Sequence, residues 1–177
     1  VADVGDKTAL RDIFEQHHIE AVMHFCAKSL VGESIKKPLN YYHNNLSKSL
    51  VLLETMAEFQ VKNFIFSSTA AVYGLPKQVP IPEEAALAPI NPYGHSKAML
   101  EQVLKDSATS LGIYYVSLRY FNACGAWPEK NLGEWHEPET HLVPLVLQAC
   151  LDTSKAISIF GDDYDTPDGT CIRDYIH

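Results

Sequence analysis

Val61-Lys62-Asn63-Phe64-Ile65-Phe66 followed by Ser67-Ser68-Thr69 reads as a short apolar strand that ends on three hydroxyls. Pro92-Tyr93 then opens a long helical period, with Met99, Leu100, Val103 and Leu104 apolar, running to Leu111. Ile113 to Tyr120 reads as another strand. The order strand, long helix, strand implies parallel pairing with right-handed crossovers.

The same alternation extends outward. Upstream, Thr8–His17 carries Leu10, Ile13 and Phe14 on one helical face, Glu20–Phe25 reads as a short buried strand, and Leu39–Phe59 reads as one long helix after Pro38. Downstream, residues 125–139 are polar and rich in Gly, Pro and Trp. Helix resumes over His141–Cys150, and Ile157–Phe160 reads as a further short strand. The strands are continuous apolar runs, which predicts a sheet covered on both faces. The expected class is α/β, a doubly wound, Rossmann-like parallel sheet. A composition shift near Ala123 divides the chain into residues 1–122 and a second, ligand-capping lobe over 123–177. Val1-Ala2-Asp3-Val4 reads as the tail of a strand and Cys171–His177 as an ordered stretch that stops midway, so the chain is expected to be part of a longer protein.

Composition narrows the function. Hydrophobic residues make up 46 % and charged residues 20 % of the 177, which is globular. The net charge of −8 argues against nucleic acid or an anionic membrane as partner. Cys26, Cys124, Cys150 and Cys171 form no C-x-x-C, and the histidines show no metal-ligand spacing, so no metal is expected. His17, His18, His24, His43, His136 and His177 read as structural or exposed. With no secretory signal or membrane run visible, free thiols fit a reducing cytoplasm.

In open parallel sheets, ligands lie beyond the carboxyl ends of the strands. Ser67-Ser68-Thr69 stands at one such end. Tyr93 and Lys97 are four apart, so they share a helix face. A phenol must have its pKa, near 10, lowered before it acts as a base, and a nearby ammonium does this. Asn122 offers an amide after the third strand, and Arg173 a guanidinium suited to a diphosphate.

Together these segments, with Leu30-Val31-Gly32-Glu33-Ser34, Tyr41-Tyr42-His43-Asn44-Asn45, Leu118-Arg119-Tyr120-Phe121-Asn122 and Phe160-Gly161-Asp162-Asp163-Tyr164, resemble the extended short-chain dehydrogenase/reductase family, and within it the UDP-glucose 4-epimerases. The resemblance implies a tightly held NAD and interconversion of UDP-galactose and UDP-glucose through a 4-keto sugar, as part of galactose metabolism. It places Asp3 and Val4 at the adenine, Phe25, Cys26, Ala27 and Phe121 along the cofactor, and Asn44 near it. Thr69, Tyr93 and Lys97 form the catalytic set. Asn122, His141, Leu142, Ser158, Phe160 and Arg173 hold the UDP-sugar. It also implies a homodimer in which the helices Leu39–Phe59 and Tyr93–Leu111 pair across a two-fold axis. Three positions depart from the family pattern: Cys26 replaces a small Ala, Ser29 a Lys, and His141 an Asn.

The glycine-rich phosphate loop of the family belongs to a turn before Val1. A polypeptide of these residues alone is therefore expected neither to hold NAD nor to epimerise. Related nucleotide-sugar dehydratases carry an acid just after the Ser/Thr, where this chain has Ala70-Ala71, which favours simple epimerisation. UDP-N-acetylglucosamine or UDP-pentose epimerisation, or nucleotide-sugar binding without catalysis, are the alternatives.

Overall fold

The computed structural model describes all 177 residues, which form two compact units, Val1–Tyr120 and Phe121–His177. The first unit begins with a turn rather than a strand tail. Asp6 N–H donates to the Asp3 carbonyl at 2.9 Å and Gly5 N–H to the Asp3 carboxylate at 2.7 Å, so the backbone of residues 3–6 is spent locally. Asp6 then caps α1 (Lys7–Gln16) by accepting from Ala9 N–H.

Next come β1 (Ala21–His24), α2 (Val31–Lys36) and α3 (Pro38–Tyr41). The long helix expected over Leu39–Phe59 is interrupted: α3 runs into a π-helical turn over Tyr42–Ser47 before α4 (Lys48–Glu58). β2 (Asn63–Ser67), a 3₁₀ turn over Ala70–Tyr73, α5 (Pro92–Leu111) and β3 (Tyr114–Leu118) complete the unit. α5 is bounded as its sequence dictates. Asn91 accepts from Gly94 N–H at the start, Pro92 occupies the first turn, and Gly112 ends it with a left-handed φ of 64°.

The strands pair in the order β1-β2-β3, all parallel, with Ala21 opposite Asn63 and Asn63 opposite Tyr114. One face of this sheet carries the core. Phe64 and Phe66, two residues apart and therefore on one face, pack with Leu10 and Phe14 of α1, Leu52, Leu53 and Met56 of α4, and Leu100 and Leu104 of α5. The opposite face does not match the expectation of cover. Met23 and Val116 are 61 % and 54 % exposed. β1 is correspondingly an edge strand in which His24 alone is buried, not the buried strand its apolar run suggested. An apolar run records that a residue can be buried; a facing layer decides whether it is.

In the second unit, β4 (Asn122–Ala123) and β5 (Tyr175–Ile176) pair in parallel, a 3₁₀ turn spans Pro128–Lys130, and α6 covers Leu142–Leu151. Ile157–Phe160 is not a strand. These residues have no ladder partner, and Phe160 is 98 % exposed. No helix of the chain is long and apolar enough to cross a membrane.

Candidate active site

The carboxyl end of β2 and the first turns of α5 bring the predicted catalytic residues together. Thr69 is buried. Its hydroxyl accepts from Ala71 N–H at 3.2 Å, capping the 3₁₀ turn. Lys97, one helical turn after Tyr93, is 4 % exposed. Its Nζ donates to the Ser67 carbonyl at 2.6 Å and lies 4.9 Å from the centre of the Phe66 ring.

Gly94 makes this approach possible. A Cβ there would stand 2.7 Å from the Ala71 carbonyl oxygen and 3.0 Å from the Pro89 Cβ. Any side chain would push the first turn of α5, and Tyr93 with it, away from the strand end.

Burial dominates the electrostatics. It lowers the Lys97 pKa to about 8, an effect that nearby Cys26 partly opposes. It raises the Tyr93 pKa, and the nearby Thr69 hydroxyl offsets only part of that. The spacing of Lys97 from Tyr93 predicts an ammonium that lowers the tyrosine pKa. In this structure its ammonium is turned to the Ser67 carbonyl, so burial of the phenol prevails.

Two buried polar clusters fix the site, and sequence reading passed over both. Glu101 lies one turn beyond Lys97 and is 8 % exposed. It accepts from the Ser68 hydroxyl and pairs with Arg119, whose Nε donates to both carboxylate oxygens at 3.1 and 3.2 Å while Nη2 donates at 2.7 Å. Arg119 Nη1 continues to the Tyr73 hydroxyl at 2.8 Å and the Glu83 carbonyl at 2.9 Å. The strand end, the 3₁₀ turn and α5 are thereby tied through one bidentate pair.

The second cluster centres on Asn45, within the π-helical turn. Its Oδ1 accepts from Lys28 N–H at 2.8 Å and from the Asn44 amide at 3.1 Å. Its Nδ2 donates to the Lys28 carbonyl at 2.9 Å and to Ser96 Oγ at 3.1 Å. All four hydrogen-bonding positions of the amide are used. Asn45 thus pins the loop after β1 to α5, while Asn44, the predicted cofactor contact, is half-buried beside it. Asn45 stands in the π turn, a helix irregularity frequent at functional sites, which no residue spacing announces.

The other predicted cofactor residues of the first unit lie on its surface. Phe25 and Cys26 are exposed and Ala27 half-buried past the end of β1. Asp3 accepts from Lys48 Nζ at 2.6 Å and, with His43 and Ser47, lines a cleft of about 350 Å³; Val4 is half-buried beside it.

In the second unit, Asn122 is half-buried and its amide donates to the Asp174 carbonyl at 2.6 Å, supporting the β4–β5 pair. Phe121, Leu142, Ser158, Phe160 and Arg173 are exposed, and Arg173 donates to the Ile172 carbonyl at 2.9 Å. No hydrogen bond joins Asn122, His141, Ser158 and Arg173 to one another, so the proposed nucleotide contacts are not assembled among these residues. His141 is engaged elsewhere. Its Nδ1 contacts Glu134, and its ring lies 4.5 Å from that of His136.

Comparison with known proteins accounts for this geometry. Residues 1–177 match the NAD dependent epimerase/dehydratase family. The UDP-glucose 4-epimerase of Streptococcus mutans is 51 % identical over 176 residues, covering 99 % of this chain and 53 % of that protein. The UDP-glucose 4-epimerase from Brucella ovis, solved in complex with NAD, superposes with a TM-score of 0.94 at 46 % identity, over 99 % of this chain and 54 % of that one. The enzyme from Bifidobacterium longum, in complex with NAD+ and UDP, superposes with a TM-score of 0.94 at 45 % identity, over 99 % and 53 %. The chain spans about half the length of the curated relatives it matches. Its parallel sheet, the hydroxyls that end β2 and the match along its full length place the chain in the NAD dependent epimerase/dehydratase family.

Proposed function

We propose that the whole protein is an NAD-dependent UDP-glucose 4-epimerase acting in galactose metabolism, with Thr69, Tyr93 and Lys97 as its catalytic residues. The observation that carries this reading is their convergence at the end of β2, where Thr69 follows the strand, Lys97 is buried with its Nζ on the Ser67 carbonyl, and Tyr93 stands one turn before it on α5. Tyr93 takes the proton of the sugar 4-hydroxyl once the Lys97 ammonium turns from the Ser67 carbonyl toward it and lowers the phenol pKa that burial raises, and Thr69 hydrogen-bonds the reacting oxygen. NAD would supply the hydride acceptor, and then the hydride donor, for oxidation and re-reduction at the sugar C4.

The residues present fit that cofactor. Lys97 is a nearly buried ammonium with no carboxylate within ion-pair distance. Its hydrogen-bond partner is the neutral Ser67 carbonyl, and an ammonium has three donors, which leaves two for ribose hydroxyls. Phe25, Cys26, Ala27, Asn44 and Phe121 line the cofactor, with Asp3 and Val4 toward the adenine. Asn122, Leu142, Ser158, Phe160 and Arg173, with His141 as a further donor, hold the UDP portion. Residues 1–122 then belong to the cofactor-binding domain and 123–177 to the substrate lobe.

No acid follows Thr69. Ala70 and Ala71 open the 3₁₀ turn instead, which supports epimerisation over dehydration. On this reading the protein acts in the cytoplasm as a homodimer. Leu39 and Leu50 of the long helix and Met99 of α5, all exposed, supply apolar surface for pairing, and sedimentation reads the dimer directly.

Tyr93→Phe in the whole protein is expected to cut turnover of UDP-galactose to UDP-glucose by about 10²–10⁴-fold, with UDP-sugar binding retained. Unchanged turnover, or a 4-keto-6-deoxy product, would sink the reading. UDP-N-acetylglucosamine assayed alongside fixes the sugar range.

A further inference from the structure

Spacing along the sequence gave no reason to expect a metal, yet Glu134, His136, Glu139 and His141 bring one potential ligand atom each within 4.8 Å of one another. They form the run Glu-x-His-x-x-Glu-x-His, which ends at the residue capping α6. The geometry points to a binding site for one divalent transition-metal ion of the zinc class, held by His136 Nδ1, His141 Nδ1, Glu134 Oε1 and Glu139 Oε2.

His136 Nδ1 lies 3.5 Å from Glu134 Oε1 and 3.5 Å from Glu139 Oε2, and His141 Nδ1 contacts Glu134 Oε1. Four N and O atoms arranged tetrahedrally at about 2.0–2.1 Å from a zinc ion stand about 3.4 Å from one another, which the two His136 separations match, while the direct His141–Glu134 contact would open as the ion enters between them. The carboxylates are also prepared for the role. Glu139 Oε1 accepts from Thr140 N–H at 2.8 Å and His141 N–H at 2.9 Å, which fixes the carboxylate and leaves Oε2 turned to His136.

Charge argues the same way. The two glutamate side chains are 14 % and 10 % exposed, and no lysine or arginine lies within ion-pair distance of either. With neutral imidazoles the set carries two negative charges and no cation; one divalent ion neutralises it. Mixed imidazole and carboxylate donors suit zinc and its neighbours rather than calcium or magnesium. Four protein ligands make a closed, structural centre. Both imidazoles are reachable, at 42 % and 49 % exposure, from a cleft of about 460 Å³ that Trp127, His177 and Cys124 also line.

An ion bound here would tie residues 134–139 to the start of α6. Metal on His141 Nδ1 leaves Nε2 free for another partner.

The test is metal binding by the full chain, produced without a histidine tag, stripped with EDTA and titrated with ZnCl₂. One equivalent of zinc is expected, and CoCl₂ loading should give the visible bands of a four-coordinate centre. His136→Gln and His141→Gln, both at exposed positions, should each weaken zinc binding by more than about 100-fold. A His17→Ala, His18→Ala double variant should leave binding unchanged. Absence of stoichiometric zinc, or loss of binding in the His17/His18 variant instead (an adventitious ion only), overturns the assignment. The readout is metal content, so it stands or falls separately from the epimerase activity.

Discussion

The two units are similarly rich in apolar residues and differ in what those residues meet. Val1–Tyr120 buries Phe64, Phe66, Met56 and Leu100 to 1 % exposure or less. Phe121–His177 has no buried residue, and its α6, the more apolar helix by sequence, leaves Leu147 and Leu151 58 % and 89 % exposed. Order in the second unit comes from short polar ties. Asp168 accepts from Thr170 N–H and Oγ1 at 3.0 and 2.9 Å, Trp127 and Leu132 form an isolated bridge, and two residues of β4 pair with two of β5. Apolar content therefore does not report a core. Three elements of the first unit converge on one sheet face, and the second has no such layer.

The sharpest way to break this contrast is a matched pair of truncations. Phe64→Ala should cost about 3–5 kcal/mol in a urea titration, because it empties a site walled by α1, α4 and α5. Phe160→Ala, at 98 % exposure, should move stability by less than about 0.5 kcal/mol. Equal costs at the two positions would mean that the second unit has a core after all.

The contrast also explains what sequence could disclose. Helices α1 and α5 and strands β2 and β3 were legible because their apolar period or run matched the element that forms, with Pro92 opening α5. Ile157–Phe160 was misread because an isolated apolar run is strand-like only if a ladder partner exists. That Tyr93, Lys97 and Thr69 would meet at one strand end was legible through their spacing and their place after a strand. Glu101, Arg119 and Asn45 were not, since a buried ion pair 18 residues apart and a four-bond amide have no local pattern. The Glu134–His141 cluster sat in plain view, but its ligands mix residue types that metal-spacing rules treat separately.

A pH titration probes the first unit through a group the second cannot match. His24 is 3 % exposed, stacked on Phe66 and bonded through Nε2 to Ser49 Oγ at 2.8 Å. Burial, with the nearby Lys97 charge second, lowers its pKa from 6.5 to about 4. Between those values the unfolded chain binds a proton that the folded chain refuses. Stability is thus intact above pH 6.5 and declines as pH falls toward 4, by about 3 kcal/mol in all. Urea midpoints measured at pH 7.5 and 4.5 should show the decline, and His24→Gln should flatten it. A decline of unchanged size in that variant would assign it to other groups.

The smallest effect expected runs opposite to the core truncation. Lys97 is as buried as the core around it, and burial lowers its pKa from 10.5 to about 8. At neutral pH the folded chain therefore carries a charge it disfavours, a penalty of up to about 3 kcal/mol. The Ser67 hydrogen bond and the contact with the Phe66 ring return part of it. Lys97→Met keeps the volume and removes the charge, so it should raise stability by about 1 kcal/mol while removing the ammonium the proposed chemistry requires. The gain should vanish near pH 10, because wild-type stability rises with pH between 8 and 10.5 as the unfolded chain alone keeps the proton. A Lys97→Met protein less stable than wild type at both pH values would show that the ammonium is held there for packing, and that the first unit tolerates no cost for function at its site.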